Sequence, residues 1–323
     1  MTTSLSIGKR RHLHQISTPD GGLAVLALDH RGGLRKLLNP EAPQSVPDSA
    51  ITALKFDIVR HLAPHASAVL LDPEYSAAQT IASDVMPGST GLVVAVEATG
   101  YEGDAKARTS QVLPGWSVAK AKRMGASAVK LLVYYHPDAP TARGIESLVV
   151  EVAEACSQHE LPLMVEPLTY TLNPEASKLT PDERPQVIIE TARRLTVPGV
   201  DILKAEFPVD WVAEPDEKVW ERVCAEMTAA SAVPWILLSA SVEFEVFVQQ
   251  VTACCRAGAS GVAVGRAVWK EAGTLDVAAR REFLLGEGIQ RMRRITGLVD
   301  ALAKPWARHF TADEVTSTWY KTY

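Results

Sequence analysis

Residues 201–207, Asp-Ile-Leu-Lys-Ala-Glu-Phe, are a short apolar run with Lys204 at its centre. Strands of a parallel sheet that is buried on both faces have this nearly continuous apolar character. A buried ammonium group is costly unless it is paired or loses its proton. The neutral amine that remains after proton loss is the form that attacks a carbonyl carbon. Lys204 is therefore either half of a structural ion pair or a catalytic nucleophile, and this stretch alone leaves both open.

Seven further apolar runs resemble the first one. The eight predicted strands are residues 23–30, 68–72, 91–98, 128–135, 162–170, 201–207, 234–240 and 261–268. Segments with helical periodicity lie between them, namely residues 50–63, 116–125, 144–158, 182–195, 216–231 and 242–257. Eight strand and helix units predict an α/β protein with a (β/α)8 TIM barrel. A short N-terminal helix, 5–16, and a C-terminal helical extension, 276–303, are expected to flank the barrel.

Length and motif content favour one domain over residues 1–323. Single α/β barrels commonly reach this length. A doubly wound sheet is less favoured, because no Gly-x-Gly-x-x-Gly follows the first strand and no linker-like segment divides the chain.

Composition excludes several classes of partner. The net charge of -5 and the absence of a basic tract argue against nucleic acid. No apolar run approaches the length of a membrane span, and no apolar segment follows the basic N-terminal residues, so we expect a cytoplasmic protein without membrane contact. The four cysteines have neither disulfide-framework nor metal-ligand spacing, and buried reduced thiols are expected.

The alternation of side chains along strands predicts which charges meet inside the barrel. If Lys204 points inward, Lys130 on the fourth strand and Glu166 on the fifth can converge with it, and Asp29 arrives from the first strand. Each residue also has a structural interpretation: Asp29 as a helix cap, for example, or Glu166 as a partner that neutralises a lysine. Together they predict an active site, because catalytic residues of this fold lie at strand ends.

These residue types suit a Schiff-base lyase that acts on a ketone. Lys130 would disfavour a second ammonium group and so help to keep Lys204 neutral. Glu166 could shuttle protons as general acid and base, and Asp29 could orient the pair or assist dehydration of a carbinolamine.

The ends of the seventh and eighth strands supply a predicted phosphate site, formed by Ser239, Gly265 and Arg266. Barrels often hold phosphate there through backbone N–H groups, and an arginine adds a bidentate contact. His30 and Arg31, in the loop after the first strand, could bind a second anion or simply line the rim.

The chain resembles a known family over nearly its whole length. The resemblance is carried by Lys9-Arg10-Arg11, Ala27-Leu28-Asp29-His30-Arg31-Gly32, Glu97-Ala98-Thr99-Gly100-Tyr101, Leu113-Pro114-Gly115-Trp116-Ser117, Ala128-Val129-Lys130-Leu131-Leu132-Val133-Tyr134-Tyr135, Leu203-Lys204-Ala205-Glu206 and Gly265-Arg266-Ala267-Val268-Trp269. These ordered motifs resemble the class I tagatose 1,6-bisphosphate aldolase family, which also includes the sulfofructosephosphate aldolases.

The resemblance implies a metal-independent barrel that needs no cofactor. It implies cleavage of a ketohexose 1-phosphate derivative, such as tagatose 1,6-bisphosphate or 6-deoxy-6-sulfofructose 1-phosphate, into dihydroxyacetone phosphate and a three-carbon aldehyde. It assigns the imine to Lys204, acid and base catalysis to Glu166, and supporting roles to Lys130 and Asp29. Ser239, Gly265 and Arg266 are assigned to a phosphate. A homo-oligomer, dimer or tetramer, is also implied.

The chain departs from the family pattern at three positions. His30, Ala98 and Ser241 stand where the family often has glutamine, lysine and glycine. The first two positions concern the anion at the far end of the sugar, and the sequence does not decide between a phosphate and a sulfonate there.

Two other functions stay open at this stage. A metal-dependent class II aldolase needs convergent histidines, whereas the eight histidines here are scattered and only His30 and His136 lie near strand ends. A barrel that binds a phosphosugar without turning it over has the same sequence features, and reduction with borohydride in the presence of substrate separates it from a Schiff-base enzyme.

Overall fold

The computed structural model describes residues 3–311, 315–321 and 323. Within these residues, eight parallel strands form a closed barrel. The barrel strands, one to eight in chain order, are Leu23–Leu28, Ala68–Leu71, Gly91–Ala95, Ala128–Tyr135, Leu163–Thr169, Ile202–Ala205, Trp235–Leu238 and Gly261–Val264. Each strand pairs with the next, and the eighth pairs with the first through Gly261 and Leu23. The predicted TIM barrel is confirmed, while a single domain over residues 1–323 stays a prediction.

Helices connect the strands and cover the outside of the barrel. The α-helices are Ile7–Ile16, Gly32–Leu38, Asp48–Leu62, Ala77–Ala82, Val118–Met124, Ala142–Gln158, Glu183–Leu195, Glu217–Ala230, Phe244–Arg256, Arg266–Trp269, Val277–Phe283 and Ile289–Leu302. Short 3-10 helices are Pro43–Ser45, Ala63–His65, Lys270–Gly273, Trp306–His309 and Trp319–Lys321. In Ala142–Gln158 the buried residues Ile145, Val149, Val152 and Cys156 recur at helical spacing. This stripe is what holds the helix against the sheet.

The barrel interior is packed with small and branched side chains in its lower half. The inward layer consists of Val25, Ala68, Val93, Ala128, Met164, Ile202, Ile236 and Ala263. The predicted side-chain alternation follows from this layer, because Lys130, Glu166 and Lys204 each stand two residues beyond one of its members. Charged groups therefore replace apolar ones only toward the carboxyl ends of the strands.

The N-terminal helix Ile7–Ile16 closes the lower end of the barrel. Its residues Leu13 and Ile16 are fully buried against the inward layer. Lys9 forms an ion pair with Asp201 at 2.7 Å, at the start of the sixth strand, and both side chains are buried. The helix is therefore held by one apolar face and one buried charge pair.

The C-terminal helical extension is present as predicted, with a π-turn at Leu284–Gly288 that joins its two α-helices. Most of its arginines have partners within the chain: Arg280 pairs with Asp57, and Arg294 with Glu245. Arg291 pairs with both Glu271 and Glu287.

Strand ends are where the sequence prediction was least accurate. Residues 261–268 were predicted as one strand, but the strand ends at Val264 and the helix Arg266–Trp269 follows. The apolar side chains of Ala267, Val268 and Trp269 are buried by the helix, so their apolar character did not signal a strand. An antiparallel hairpin of Glu102–Asp104 and Ala107–Thr109 was not predicted, because its strands are short and largely exposed.

The cysteines are buried and reduced, as expected. The Sγ atoms of Cys224 and Cys254 lie 3.6 Å apart. Burial raises the pKa of the Cys255 thiol to about 12, and that of Cys156 likewise. Across the described part of the chain, no helix is both long and apolar enough to cross a membrane.

Candidate active site

A cavity of about 390 Å³ opens at the carboxyl ends of the barrel strands, where enzymes of this fold carry their chemistry. All of the residues proposed from the sequence line it, namely Asp29, His30, Arg31, Lys130, Glu166, Lys204, Ser239, Gly265 and Arg266. A larger, open cavity of about 920 Å³ lies at the opposite end, between Ile7–Ile16 and Ile289–Leu302, and no lysine lines it. The smaller cavity, which contains Lys130 and Lys204, is therefore the candidate active site.

Lys204 and Glu166 form the pair closest to the predicted chemistry. The two residues stand side by side on neighbouring strands, since Val165 pairs with Leu203 in the register. Lys204 Nζ lies 2.8 Å from Glu166 Oε1, and the two side chains are only 4% and 8% exposed. A proton can pass directly between this amine and this carboxylate.

Lys130 stands at the centre of three carboxylates. Its Nζ lies 2.6 Å from Asp29, 2.7 Å from Glu97 and 3.1 Å from Glu166, and its side chain is 1% exposed. Burial by itself would lower the pKa of Lys130, but Asp29, Glu166 and Glu97 raise it well above its ordinary value. Lys130 is therefore a permanent ammonium group near neutral pH.

Asp29 is a carboxylate near neutral pH, because neighbouring positive charges outweigh the effect of its burial. Burial alone would raise its pKa, but Lys130, Lys204 and His30 hold the pKa well below its ordinary value. An ionised carboxylate cannot donate a proton. Of the two roles considered for Asp29, orienting the lysines is the one that the geometry favours.

Glu97 belongs to the site but was not selected from the sequence. It accepts a hydrogen bond from Lys130 at 2.7 Å and another from the backbone N–H of Leu132 at 3.1 Å. The same alternation that placed Lys130 could have found it, because Val93, Ala95 and Glu97 share a parity on the third strand. Two lysines thus face three carboxylates in this cavity.

Arg31 lines the cavity, but its guanidinium group is already engaged. It donates to Glu74 at 2.7 Å, to Thr99 at 3.1 Å and to the carbonyl oxygen of Glu97 at 2.9 Å. Its side chain is 4% exposed. These contacts hold the loops after the first, second and third strands together, which is a structural task.

A further buried ion pair, not predicted from the sequence, joins the helix Asp48–Leu62 to the end of the second strand. Lys55 pairs with Asp72, and both side chains are fully buried. Asp72 also accepts hydrogen bonds from Ser76 and from the backbone N–H groups of Glu74 and Tyr75. This pair fixes the loop that presents Glu74 to Arg31.

His30 lines the same cavity. Burial lowers its pKa to about 4, against the opposing effect of Asp29. Its ring packs edge-on against Trp269, with the centroids 5.4 Å apart, and the buried Nδ1 has no hydrogen-bond partner among the described residues. His30 therefore contributes a polar wall rather than a positive charge.

Ser239, Gly265 and Arg266 come together as predicted from the sequence. The N–H group of Gly265 donates to Ser239 Oγ at 3.1 Å. Burial lowers the pKa of Arg266, and its buried Nε has no hydrogen-bond partner within the described residues. A buried guanidinium edge that lacks a partner is suited to an anion.

The loop after the seventh strand has an unusual backbone. Ala240 and Ser241 have φ angles of 40° and 61°, in the left-handed region that favours glycine. Ser241 Oγ is buried and has no partner in the described part of the chain. Ser241 thus adopts a backbone conformation that favours glycine, and it lines the cavity together with Ala240.

Gly265→Ala should weaken substrate binding more than it weakens the fold. An added Cβ would lie 3.1 Å from His30 Cε1 and 3.3 Å from the carbonyl oxygen of Ala27, so His30 or the backbone must shift. We expect KM for substrate to rise by about tenfold with a small change in Tm. Gly144→Ala is the matched control, because nothing lies within 4 Å of its added Cβ. Equal KM values for the two variants would show that Gly265 is not near bound substrate.

With the geometry established, comparison with known proteins gives the family. The model of the DeoC/LacD family of aldolases matches residues 23–271, which span the barrel from its first strand to just beyond its eighth. The chain therefore belongs to the DeoC/LacD aldolase family.

The curated relatives agree over nearly the whole length. A tagatose 1,6-diphosphate aldolase of Streptococcus agalactiae is 31% identical, across 92% of this chain and 97% of its own length. Enzymes of the same name from Streptococcus mutans and Enterococcus faecalis are 30% and 31% identical, each across 94% of this chain and 97% of its own length. The protein is an aldolase, a carbon–carbon lyase.

Solved structures share the fold at lower identity. An archaeal fructose 1,6-bisphosphate aldolase is 22% identical with a TM-score of 0.60, and the match covers 91% of this chain and 99% of that one. A fructose-bisphosphate aldolase of Plasmodium falciparum is 16% identical with a TM-score of 0.69, covering 94% and 98% of the two chains. These likenesses support the barrel architecture.

Proposed function

We propose that this protein is a class I, Schiff-base aldolase that cleaves a ketohexose 1-phosphate derivative without a metal ion. The products are dihydroxyacetone phosphate and a three-carbon aldehyde. The observation that carries the proposal is a buried lysine, Lys204, in the cavity at the carboxyl end of the barrel, with Glu166 at 2.8 Å. A desolvated amine beside a proton acceptor is what imine formation requires.

Imine formation uses Lys204 and Glu166. Glu166 takes a proton from the Lys204 ammonium, and the amine attacks the C2 carbonyl carbon of the substrate to give a carbinolamine. Glu166 returns a proton to the C2 hydroxyl, which leaves as water, and an iminium ion forms. Lys130 and Asp29 keep Glu166 in place through the contacts at 3.1 Å and 2.6 Å around the Lys130 ammonium.

Cleavage then uses the iminium as the electron sink. The C4 hydroxyl loses its proton to Glu166, the C3–C4 bond breaks, and its electron pair moves toward the iminium to give an enamine. The aldehyde leaves, Glu166 gives C3 the proton that it took from the C4 hydroxyl, and water hydrolyses the resulting iminium to release dihydroxyacetone phosphate. The fixed charges of Asp29, Glu97 and Lys130 stabilise this sequence as preorganised electrostatics.

Arg266 is proposed to hold the C1 phosphate, with Ser239 and Gly265. Its unpartnered buried Nε supports this assignment, because an anion would supply the missing acceptor. Arg266, Ser239 and Gly265 line the same cavity as Lys204, so one substrate can contact both groups.

The arrangement of side chains favours the lysine route over a metal-dependent one. Among the described residues, no group of three or more His, Cys, Asp or Glu side chains is arranged to hold a metal ion. His30, the histidine in the cavity, packs against Trp269 rather than against other candidate ligands.

The proposed substrate follows from the relatives and from the family resemblance. The curated relatives are named for tagatose 1,6-diphosphate, and the resemblance also admits 6-deoxy-6-sulfofructose 1-phosphate. The resemblance further supports a cytoplasmic homodimer or homotetramer, which sedimentation equilibrium would test.

Borohydride trapping tests the mechanism. Incubation with tagatose 1,6-bisphosphate, fructose 1,6-bisphosphate or 6-deoxy-6-sulfofructose 1-phosphate, followed by reduction, should leave one covalent adduct, and peptide mass spectrometry should place it on Lys204. Coupled-assay rates with the same three sugars then rank them. Absence of any adduct with all three, in protein shown to be folded, would overturn the proposal.

A further inference from the structure

Arg108 is held at the rim of the barrel by three tyrosines. Its guanidinium carbon lies 4.4 Å from the ring centroid of Tyr101, 4.5 Å from that of Tyr170 and 5.5 Å from that of Tyr134. The rings of Tyr101 and Tyr134 also contact each other edge-on, at 5.1 Å. Arg108 is therefore fixed in position, although it belongs to a hairpin whose strands are short and largely exposed.

Stacking leaves the hydrogen-bonding edge of Arg108 available. Cation–π contacts use the face of a guanidinium, whereas its N–H groups lie in the plane. Nε donates to the carbonyl oxygen of Ala105 at 2.9 Å. The terminal nitrogens make no hydrogen bond or ion pair within residues 3–311, 315–321 and 323. A fixed guanidinium whose two terminal nitrogens are free, with four N–H donors between them, is a preorganised anion ligand.

The strand register places Tyr134, whose ring the Arg108 guanidinium contacts, above the proposed reacting centre. Leu132 pairs with Glu166 across the fourth and fifth strands, and Tyr134 pairs with Leu168. Lys204 is level with Glu166. Tyr134 lines the cavity two residues nearer the mouth, which is roughly 7 Å along the strand. That rise is comparable with the reach from C2 of a ketohexose to the substituent on C6.

The barrel order places Arg108 across from the proposed phosphate site. In a closed ring of eight strands, the seventh and eighth strands face the third and fourth. Ser239 and Arg266 follow the seventh and eighth strands, the hairpin follows the third, and Tyr134 is on the fourth. A sugar with its phosphate at Arg266 and its C2 at Lys204 therefore points its other end toward Arg108.

Arg31 and Lys130, the cations that line the cavity on that side, already have partners within the chain. Arg31 is bound by Glu74 and Glu97, and Lys130 is surrounded by three carboxylates. We propose that Arg108, held by Tyr101, Tyr134 and Tyr170, binds the anionic group at the end of the substrate remote from the C1 phosphate. A phosphate and a sulfonate both suit this contact. The inference rests on the proposed function and names the residue that selects a substrate with a charged far end.

The test compares substrates with and without the distal anion. Arg108→Gln should raise KM about 10- to 100-fold for tagatose 1,6-bisphosphate or 6-deoxy-6-sulfofructose 1-phosphate, the size expected for one charge-assisted contact. For tagatose 1-phosphate, which has no distal anion, kcat/KM should stay within about twofold. Arg108→Lys should recover part of the loss, since charge remains but the planar fork does not. If KM in Arg108→Gln rises more for one of these two substrates, its distal group, phosphate or sulfonate, is the one that Arg108 prefers.

Lys106→Gln is the matched control, because Lys106 lies on the same hairpin but donates to the carbonyl oxygen of Ala176 rather than stacking on the tyrosines. Lys106→Gln should leave unchanged the ratio of kcat/KM for a substrate with the distal anion to kcat/KM for tagatose 1-phosphate. An equal loss for charged and uncharged substrates in Arg108→Gln would mean that Arg108 only supports the hairpin, and this inference would fail alone. Wild-type protein that gives no borohydride adduct with any sugar would instead defeat the proposed function.

Discussion

Lys204→Met should abolish cleavage, with kcat reduced by about 10⁴-fold or more, because no other group in the site is placed to form the imine. Methionine is close to lysine in length and apolar, so it suits a side chain that is 4% exposed. Glu166 retains the Lys130 contact at 3.1 Å and is not left as an unpaired buried charge. We therefore expect a cooperative thermal transition close to that of the wild type.

Three measurements on this variant separate chemistry from folding: the coupled-assay rate, the borohydride adduct by mass spectrometry, and the circular dichroism melt. Lys178→Met is the matched control, since that side chain is 80% exposed and should affect none of them. A covalent adduct that persists in Lys204→Met and maps to Lys130 would show that Lys130, and not Lys204, is the nucleophile. Undiminished turnover without an adduct would defeat the Schiff-base mechanism.

The barrel and most of its charged centre were predictable because both depend on local pattern. Buried parallel strands are apolar on both faces, so a lysine in such a run stands out. Strict alternation then fixes which neighbours share its face, and it brought Lys130 and Glu166 to Lys204. Glu97 obeys the same rule and lies within the predicted third strand, 91–98, but it was not selected as a site residue, and the observed strand ends at Ala95.

Long-range pairing is what the sequence could not show. The sequence predicts Arg31 as an anion ligand or a rim residue, and only the structure shows that Glu74, 43 residues away, contacts its guanidinium group. Arg108 gave no signal at all, because its role depends on three tyrosines from separate segments meeting at one point. Hairpin strands of three residues also carry no periodicity to read. Local pattern thus locates the centre of the site, while its rim depends on tertiary contacts.

Lys130→Met should be the most destabilising change in the site. Lys130 is the shared partner of Asp29, Glu97 and Glu166, and these carboxylates are at most 10% exposed. Removing one partner of a buried ion pair costs about 3–5 kcal/mol, because the remaining charge is left uncompensated. We expect a loss of that size in the free energy of unfolding at pH 7.5, with activity lost as well because Asp29 and Glu166 repel each other.

The pH dependence of the free energy of unfolding tests whether charge is the cause of the destabilisation in Lys130→Met. In the wild type the pKa of Asp29 is held well below its ordinary value, so its contribution to stability is present above the unfolded pKa of about 3.9 and is lost as pH falls through the lower folded pKa. Without Lys130, the buried carboxylates should instead bind protons more readily than in the unfolded chain. The stability gap between wild type and Lys130→Met should therefore narrow from pH 7.5 to pH 4.5.

Urea unfolding at the two pH values measures this gap, and Lys130→Met combined with Glu97→Gln provides the internal check. Neutralising one of the three carboxylates should restore part of the lost free energy at pH 7.5, although Glu97→Gln alone removes a partner of Lys130 and should destabilise. A gap that stays constant with pH, together with additive effects of the two substitutions, would show that Lys130 acts through packing rather than charge.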